Sequence, residues 1–161
     1  MIDQRLLQVL KSLCKNFEVS NVRWVLAGSL SLALQGMKVE PNDIDILTDQ
    51  QGAFKINAIL KRYEIRKVEY SETEKTASFF GIFEIEEVKV EVMGDYKERQ
   101  GFKWVNLSKR LKNPRIIEVD GIKIPVSPVE DQLRSYRRSK RPKDVEKVKK
   151  ILEHMVHEVS E

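Results

Sequence analysis

Apolar positions recur along this chain in two rhythms, and the switches between them mark the expected elements. Leu6, Leu10, Leu13 and Phe17 fall at helical spacing, so residues 3–17 are read as an amphipathic helix. RWVLA, residues 23–27, reads as a short buried strand. Residues 29–35 read as a helix, with Gly36 as its stop. Pro41-Asn42 breaks the chain, and DIDIL, residues 43–47, reads as the next strand. Thr48 or Asp49 is expected to cap a helix over residues 51–63, with Phe54, Ile59, Leu60 and Tyr63 as its apolar face.

The rhythm then changes to strands. EIRKVEY, ASFFGIFEIEE and VKVEVMGD, residues 64–95, read as three in succession, and residues 96–114 are too polar to assign. RIIEVDGIKIPV predicts a hairpin turning at Asp120-Gly121. Ser127-Pro128 is expected to open a helix with Ser127 as its cap, and Pro142 a last helix with the stripe Val145, Val148, Ile151, Leu152, Met155 and Val159. No repeat, low-complexity tract or linker interrupts this order. It predicts an α+β or mixed α/β layer in one domain, residues 1–161, with helices over 127–158 packing on it.

One strand contradicts its own apolar character. In DIDIL, side chains two apart share a face, so Asp43 and Asp45 stand side by side while Ile44 and Ile46 face the core. Adjacent carboxylates repel, and without a cation between them at least one pKa rises. Such a pair suits a hard divalent cation, which takes carboxylate oxygens together with substrate phosphate oxygens. VKVEVMGD offers a third acid: Val88, Val90 and Val92 line one face, and Glu91 sits between Lys89 and Met93 on the other. If the two strands are neighbours, three carboxylates converge, and two magnesium or manganese ions could clamp a phosphoryl displacement. Gly28-Ser29, at the expected strand-to-helix turn, lets a phosphate approach the backbone. For Glu91 the competing role is an ion pair with Lys89, and for Ser29 a plain helix cap.

Composition narrows the setting. A chain of 161 residues that is 41% hydrophobic can bury a core. It has no apolar run long enough for a membrane helix, and its N-terminus lacks a signal-peptide pattern, so a cytoplasmic location is expected. The lone Cys14 lies on the first helix's apolar stripe and reads as a buried structural thiol. Trp24 and Trp104 read as packing residues, Asp95 as a turn residue, and His154 and His157 as helix-end residues rather than ligands. The net charge of +4 is uneven: residues 134–150 hold nine basic side chains against two acids. Such a segment attracts a polyanion, nucleotide phosphate or nucleic acid, or forms a solvated face. Lys140, Arg141 and Lys143 are candidates to reach a triphosphate or an acceptor from it.

Ala27-Gly28-Ser29, Asp43-Ile44-Asp45 and the later Glu91 together resemble the signature of the nucleotidyltransferase superfamily that includes DNA polymerase beta and the antibiotic-adenylylating enzymes. RPKDVEKVKKIL, residues 141–152, looks like the closing helix of small stand-alone members, such as those acting on lincosamides or aminoglycosides. The resemblance implies the minimal fold of that superfamily, α+β with a mixed sheet flanked by helices. It implies that Asp43 and Asp45 hold both metal ions, that Glu91 holds the catalytic one and helps deprotonate the attacking hydroxyl, and that Gly28 and Ser29 bind the triphosphate. The acceptor hydroxyl would attack the α-phosphate and pyrophosphate would leave. The acceptor, whether small molecule, protein or RNA, is open, and a second copy or partner subunit would supply a missing acceptor platform. The alternative is a non-catalytic nucleotide- or RNA-binding module, or a toxin–antitoxin component, on the same fold.

Overall fold

The computed structural model describes residues 2–139 and 141–160, with side chains through His157. Helix α1 (Gln4–Val19) leads to strand β1 (Trp24–Ala27), helix α2 (Gly28–Leu34), strand β2 (Ile44–Thr48) and helix α3 (Gln50–Ile59). Strands β3 (Glu64–Glu72), β4 (Thr76–Ile85), β5 (Val88–Gln100) and β6 (Lys103–Asn106) follow, then β7 (Arg115–Val119), β8 (Ile122–Val126) and helices α4 (Val129–Arg138) and α5 (Pro142–Ser160). The fold is α+β with a mixed sheet, as the resemblance implies.

The sheet runs β3-β4-β5-β2-β1-β8-β7, with β6 paired to β5. Two pairings are parallel, β2 with β5 and β1 with β8; the other pairs are antiparallel. Strand β5 outruns its neighbour: β2 pairs with Val90 to Gly94, and β6 pairs with Lys97 to Gln100 beyond it. That extension fills much of the stretch the sequence leaves unassigned.

One sheet face carries the main core. Leu6, Leu10, Leu13 and Phe17 of α1 and Ile56 of α3 pack on Leu26, Ile44, Ile46, Val90 and Val92. The opposite face is part apolar, with Val25, Ala27, Leu47 and Leu111, and part polar. Above it α4 and α5 join a small cluster of Leu32, Met37, Val129, Leu133 and Ile151.

Several local expectations are corrected. Phe54 is exposed and touches Phe79 instead of entering the core, because α3 buries Gly52, Ala53 and Ile56. Gly94 makes that close approach to β5 feasible: a Cβ on it would stand 2.8 Å from Ala53 Cβ, while a Cβ on Gly52 would meet Thr48 Oγ1 at 1.9 Å. On α5, Val145 and Leu152 are exposed and Ile151 is buried, so the stripe is narrower than its periodicity suggests; the Val159 side chain lies outside the described residues. Ser127 does not cap α4, whose N-cap is Pro128; the serine is buried with its hydroxyl unbonded. Asp49 caps α3, its carboxylate accepting from the Gly52 amide at 2.6 Å, while the Thr48 hydroxyl donates to the Arg23 carbonyl at 2.6 Å. Asp95 sits within β5 at φ +50 and accepts from the Gln50 amide, so it also belongs to the start of α3. Cys14 is buried, with its thiol pushed up mainly by burial. No helix among the described residues is long and apolar enough to cross a membrane.

Candidate active site

The parallel pairing of β2 and β5 brings the acids together. Asp45 and Glu91 are direct partners in register, flanked by Ile44↔Val90 and Ile46↔Val92. Since the flanking pairs face the core, both carboxylates project from the opposite face. Asp43 precedes the first residue of β2, so it lies at the strand's entrance rather than inside it. On the other side of Asp45, Ala27 is its antiparallel partner, and the chain turns there into α2 through Gly28 at φ +72. A Cβ on Gly28 would lie 2.1 Å from Asp45 Oδ2, so the glycine turn and the carboxylate are pressed together.

Electrostatics follow from this crowding. The pKa of Asp45 is pushed up to about 7, first by burial, then by Glu91 and Asp43; Lys147 and Lys89 oppose the rise. Lys89 bridges the other two acids, its Nζ 2.9 Å from Glu91 Oε1 and 3.7 Å from Asp43 Oδ2. The lysine pKa is raised in turn, chiefly by Glu91. The ion pair that competes with a metal role for Glu91 is therefore present. Among the described residues no three acidic, histidine or cysteine groups form a ready cation cage. The oxygen set nonetheless fits a hard divalent cation: two of its carboxylates already hold an ammonium, and the third is short of compensating charge.

The raised pKa makes a stability prediction. An unfolded aspartate titrates near 3.8, so between that value and about 7 the unfolded chain loses a proton that folded Asp45 keeps. Stability contributed by protonated Asp45 is thus lost as pH rises through this window, and above it the penalty is constant, on the order of a few kcal/mol. With chelator present, Asp45→Asn should melt higher than wild type at pH 8 and nearly level with it at pH 4. A melting difference that does not change with pH would contradict this.

The remaining expected residues divide. Ser29 is half-buried beside Gly28. The Gly28 amide is not open to a ligand: it donates to Gln132 Oε1 at 3.0 Å. Arg141 lies on a cleft of about 660 Å³ that Glu91 also lines, but its guanidinium holds buried Asp144, with Nε 2.9 Å from Oδ2. Lys140 lies outside the described residues.

Gln132, Tyr136 and Lys147 are the residues that sequence reasoning missed. Gln132 is buried, and its Nε2 donates to Ser31 Oγ at 2.7 Å and to the Ser127 carbonyl at 2.9 Å, tying α4 to the glycine turn. Tyr136 donates to Gln132 Oε1, and the Lys147 ammonium lies 4.9 Å from the Tyr136 ring centre. Burial lowers the Lys147 pKa, while Asp144 and Asp45 act to raise it. A glutamine in an amphipathic helix carries no signal of this role; only the packing of α4 against α2 creates it. Replacing Gln132 by leucine should leave the Gly28 amide unpaired, while the Ser127 carbonyl keeps the Gln35 Nε2 donor, and cost about 1–3 kcal/mol. Denaturant titration measures this; a loss under about 0.5 kcal/mol, typical of a neutral surface change, would mean that water or a rearranged side chain replaces those bonds.

Comparison with solved structures gives the class. A candidate nucleotidyltransferase from Thermotoga maritima is 39% identical, with a TM-score of 0.83 and coverage of 96% of each chain. ANT(2'')-Ia in complex with adenylyl-2''-tobramycin shares the fold at 10% identity, with a TM-score of 0.58 over 95% of this chain and 90% of that one. A solution structure of the antibiotic-resistance factor ANT(2'')-Ia gives a TM-score of 0.57 at 11% identity, over 94% of this chain and 84% of that one. A comparison with curated proteins returned no match. The fold is that of the nucleotidyltransferase superfamily. Within it, the chain belongs to the aminoglycoside-2''-adenylyltransferase family, whose model matches residues 7–151.

Proposed function

We propose that this protein transfers a nucleoside monophosphate from a nucleoside triphosphate to a hydroxyl acceptor and releases pyrophosphate. The observation that carries the reading is the in-register juxtaposition of Asp45 and Glu91 on adjacent parallel strands, with the Gly28 turn against Asp45. Asp43, Asp45 and Glu91 would hold magnesium or manganese. A divalent cation bound there supplies charge neutralisation for the triphosphate.

The chain's own groups supply the rest. The turn at Gly28-Ser29 receives the phosphates beside the acids, with the Ser29 hydroxyl as a donor. Lys147 supplies positive charge from α5. The acceptor oxygen bonds to the α-phosphorus as the bond to the bridging oxygen breaks. Pyrophosphate departs with that electron pair, and Glu91 takes the hydroxyl proton. Rigid positioning does much of the work, because the carboxylates sit on sheet strands rather than loops. A cytoplasmic setting agrees with a triphosphate donor.

Lys89 between Asp43 and Glu91 is the feature that a non-catalytic module would also carry. The test is stabilisation by each common nucleoside triphosphate with magnesium, followed by pyrophosphate release on an acceptor panel. No stabilisation by any of them, in magnesium or manganese, would overturn the transferase reading.

A further inference from the structure

The positive charge of this chain is concentrated in two segments that border one cleft. Residues 97–112 carry six basic side chains against Glu98 alone, and residues 134–150 carry nine against two. They hold +5 and +7 in a chain of net +4, so the remainder stands at −8. The fold locks the two together. Arg138 pairs with Glu98, and Arg110 donates to Ser135 Oγ at 2.5 Å and to the Asp131 carbonyl at 2.9 Å. Between them opens the cleft of about 660 Å³ that reaches Glu91, lined by Arg99, Arg138, Arg141 and, from the β3–β4 turn, Lys75.

Three of the four acids of this cleft are already committed. Glu98, 7% exposed, accepts from Arg138, Ser135 and Tyr96. Asp144, 1% exposed, accepts from Arg141 and Ser139, and its other oxygen is buried away from the cleft's solvent. Glu91 holds Lys89. Glu74, on the exposed turn, is the one lining acid without an ion pair among the described residues. On the basic side, Lys75 and Arg99 have no carboxylate partner among the described residues. The Arg99 guanidinium lies 4.4 Å from the Trp104 ring centre, and Phe102, at the tip of the β5–β6 hairpin, is fully exposed.

We infer that the acceptor is a phosphate-bearing polyanion, bound across this cleft with its hydroxyl toward Glu91. The inference rests on the transferase reading and names its acceptor class. A polyamine sugar such as tobramycin needs several free carboxylates to meet its ammonium groups, and the unpaired Lys75 and Arg99 repel it. A phosphorylated ligand instead meets charge-assisted donors in Lys75 and Arg99, whose guanidinium the Trp104 ring backs from outside the cleft. The phosphates belong either to a nucleic-acid strand or to a compact phosphorylated molecule.

The experiment is fluorescence anisotropy of a short, labelled single-stranded oligoribonucleotide on the full chain at low salt. Inositol hexakisphosphate and tobramycin serve as competitors, and the double variant Lys75→Gln/Arg99→Gln as comparison. Both substituted residues are exposed, so the fold should survive, which matching circular dichroism verifies. Binding should weaken with salt, and the double variant should lose about 1 unit of log–log salt slope per side chain removed. Displacement by the compact polyphosphate assigns a small acceptor, and resistance to it assigns a strand; both support the inference. It is overturned if the phosphate probes fail to bind at low salt, if tobramycin binds in their place, or if the salt slope is unchanged in the double variant. Magnesium-dependent triphosphate stabilisation, measured separately, keeps the two readings apart: oligonucleotide binding without it would sink the transferase assignment and the acceptor role with it, and leave a polyanion-binding cleft.

Discussion

Replacing Asp43 and Asp45 together by asparagine should remove magnesium-dependent triphosphate binding while leaving the protein folded. At a triphosphate concentration about 100 times its Kd, the wild type gains about 2.7 kcal/mol by mass action. For a chain of this size that is a melting shift of about 5–10 °C. The variant should show no shift, because an amide carries no charge to hold the cation. Nucleotidyl transfer should fall by at least about 10²–10³-fold, the scale on which loss of one preorganised group is felt. The unliganded variant should be no less stable than wild type, since Asp45 is the most frustrated of the three acids, with its pKa near 7. The measurement is thermal shift with each triphosphate, with and without magnesium. A variant that keeps the wild-type shift would mean that the triphosphate binds elsewhere.

Gly28→Ala should separate a stability effect from a geometric one. Gly28 sits at φ +72, where an L side chain is strained by about 1–3 kcal/mol. Its new Cβ would also stand 2.1 Å from Asp45 Oδ2, 3.0 Å from Cγ and 3.3 Å from Cβ. The contacted oxygen is the end of a short side chain, so the carboxylate can rotate aside, and it then leaves the position that faces Glu91. A displacement near 1 Å at a reacting centre costs about 10²-fold in rate. The expected outcome is a folded protein with a melting temperature lower by about 2–12 °C and transfer reduced about 100-fold. In Gly28→Ala/Asp45→Ala, most of the steric part is relieved while φ strain remains, so part of the lost stability should return. Full activity in Gly28→Ala would show that the close approach of turn and acid is incidental.

Much of this architecture is legible in the chain. The alternation of VKVEVMGD placed Glu91 opposite the face of Val88, Val90 and Val92, and the burial of those valines agrees. The Asp120-Gly121 hairpin turn appears with both residues at positive φ. Where periodicity misled, the cause is tertiary. Phe54 falls on an apparent apolar face, yet α3 meets β5 where Ala53 packs against Gly94, and a bulky ring has no room in that contact. Val145 and Leu152 follow helical spacing, but α5 leans on the body of the protein over a narrow strip around Ile151.

The sequence by itself determined which residues carry charge on apolar strands and where the chain must turn, because those follow from side-chain chemistry and a period of two. It could not determine that β2 and β5 lie side by side and parallel, since two intervening strands separate them and pairing is decided by the whole sheet. It also could not determine that Lys89 reaches Asp43 as well as Glu91, that Gln132 holds the Gly28 amide, or that two distant basic segments share one cleft. Those are contacts between residues far apart in sequence. They exist because burying the apolar faces of α1, α3 and the sheet leaves few ways to stack the rest.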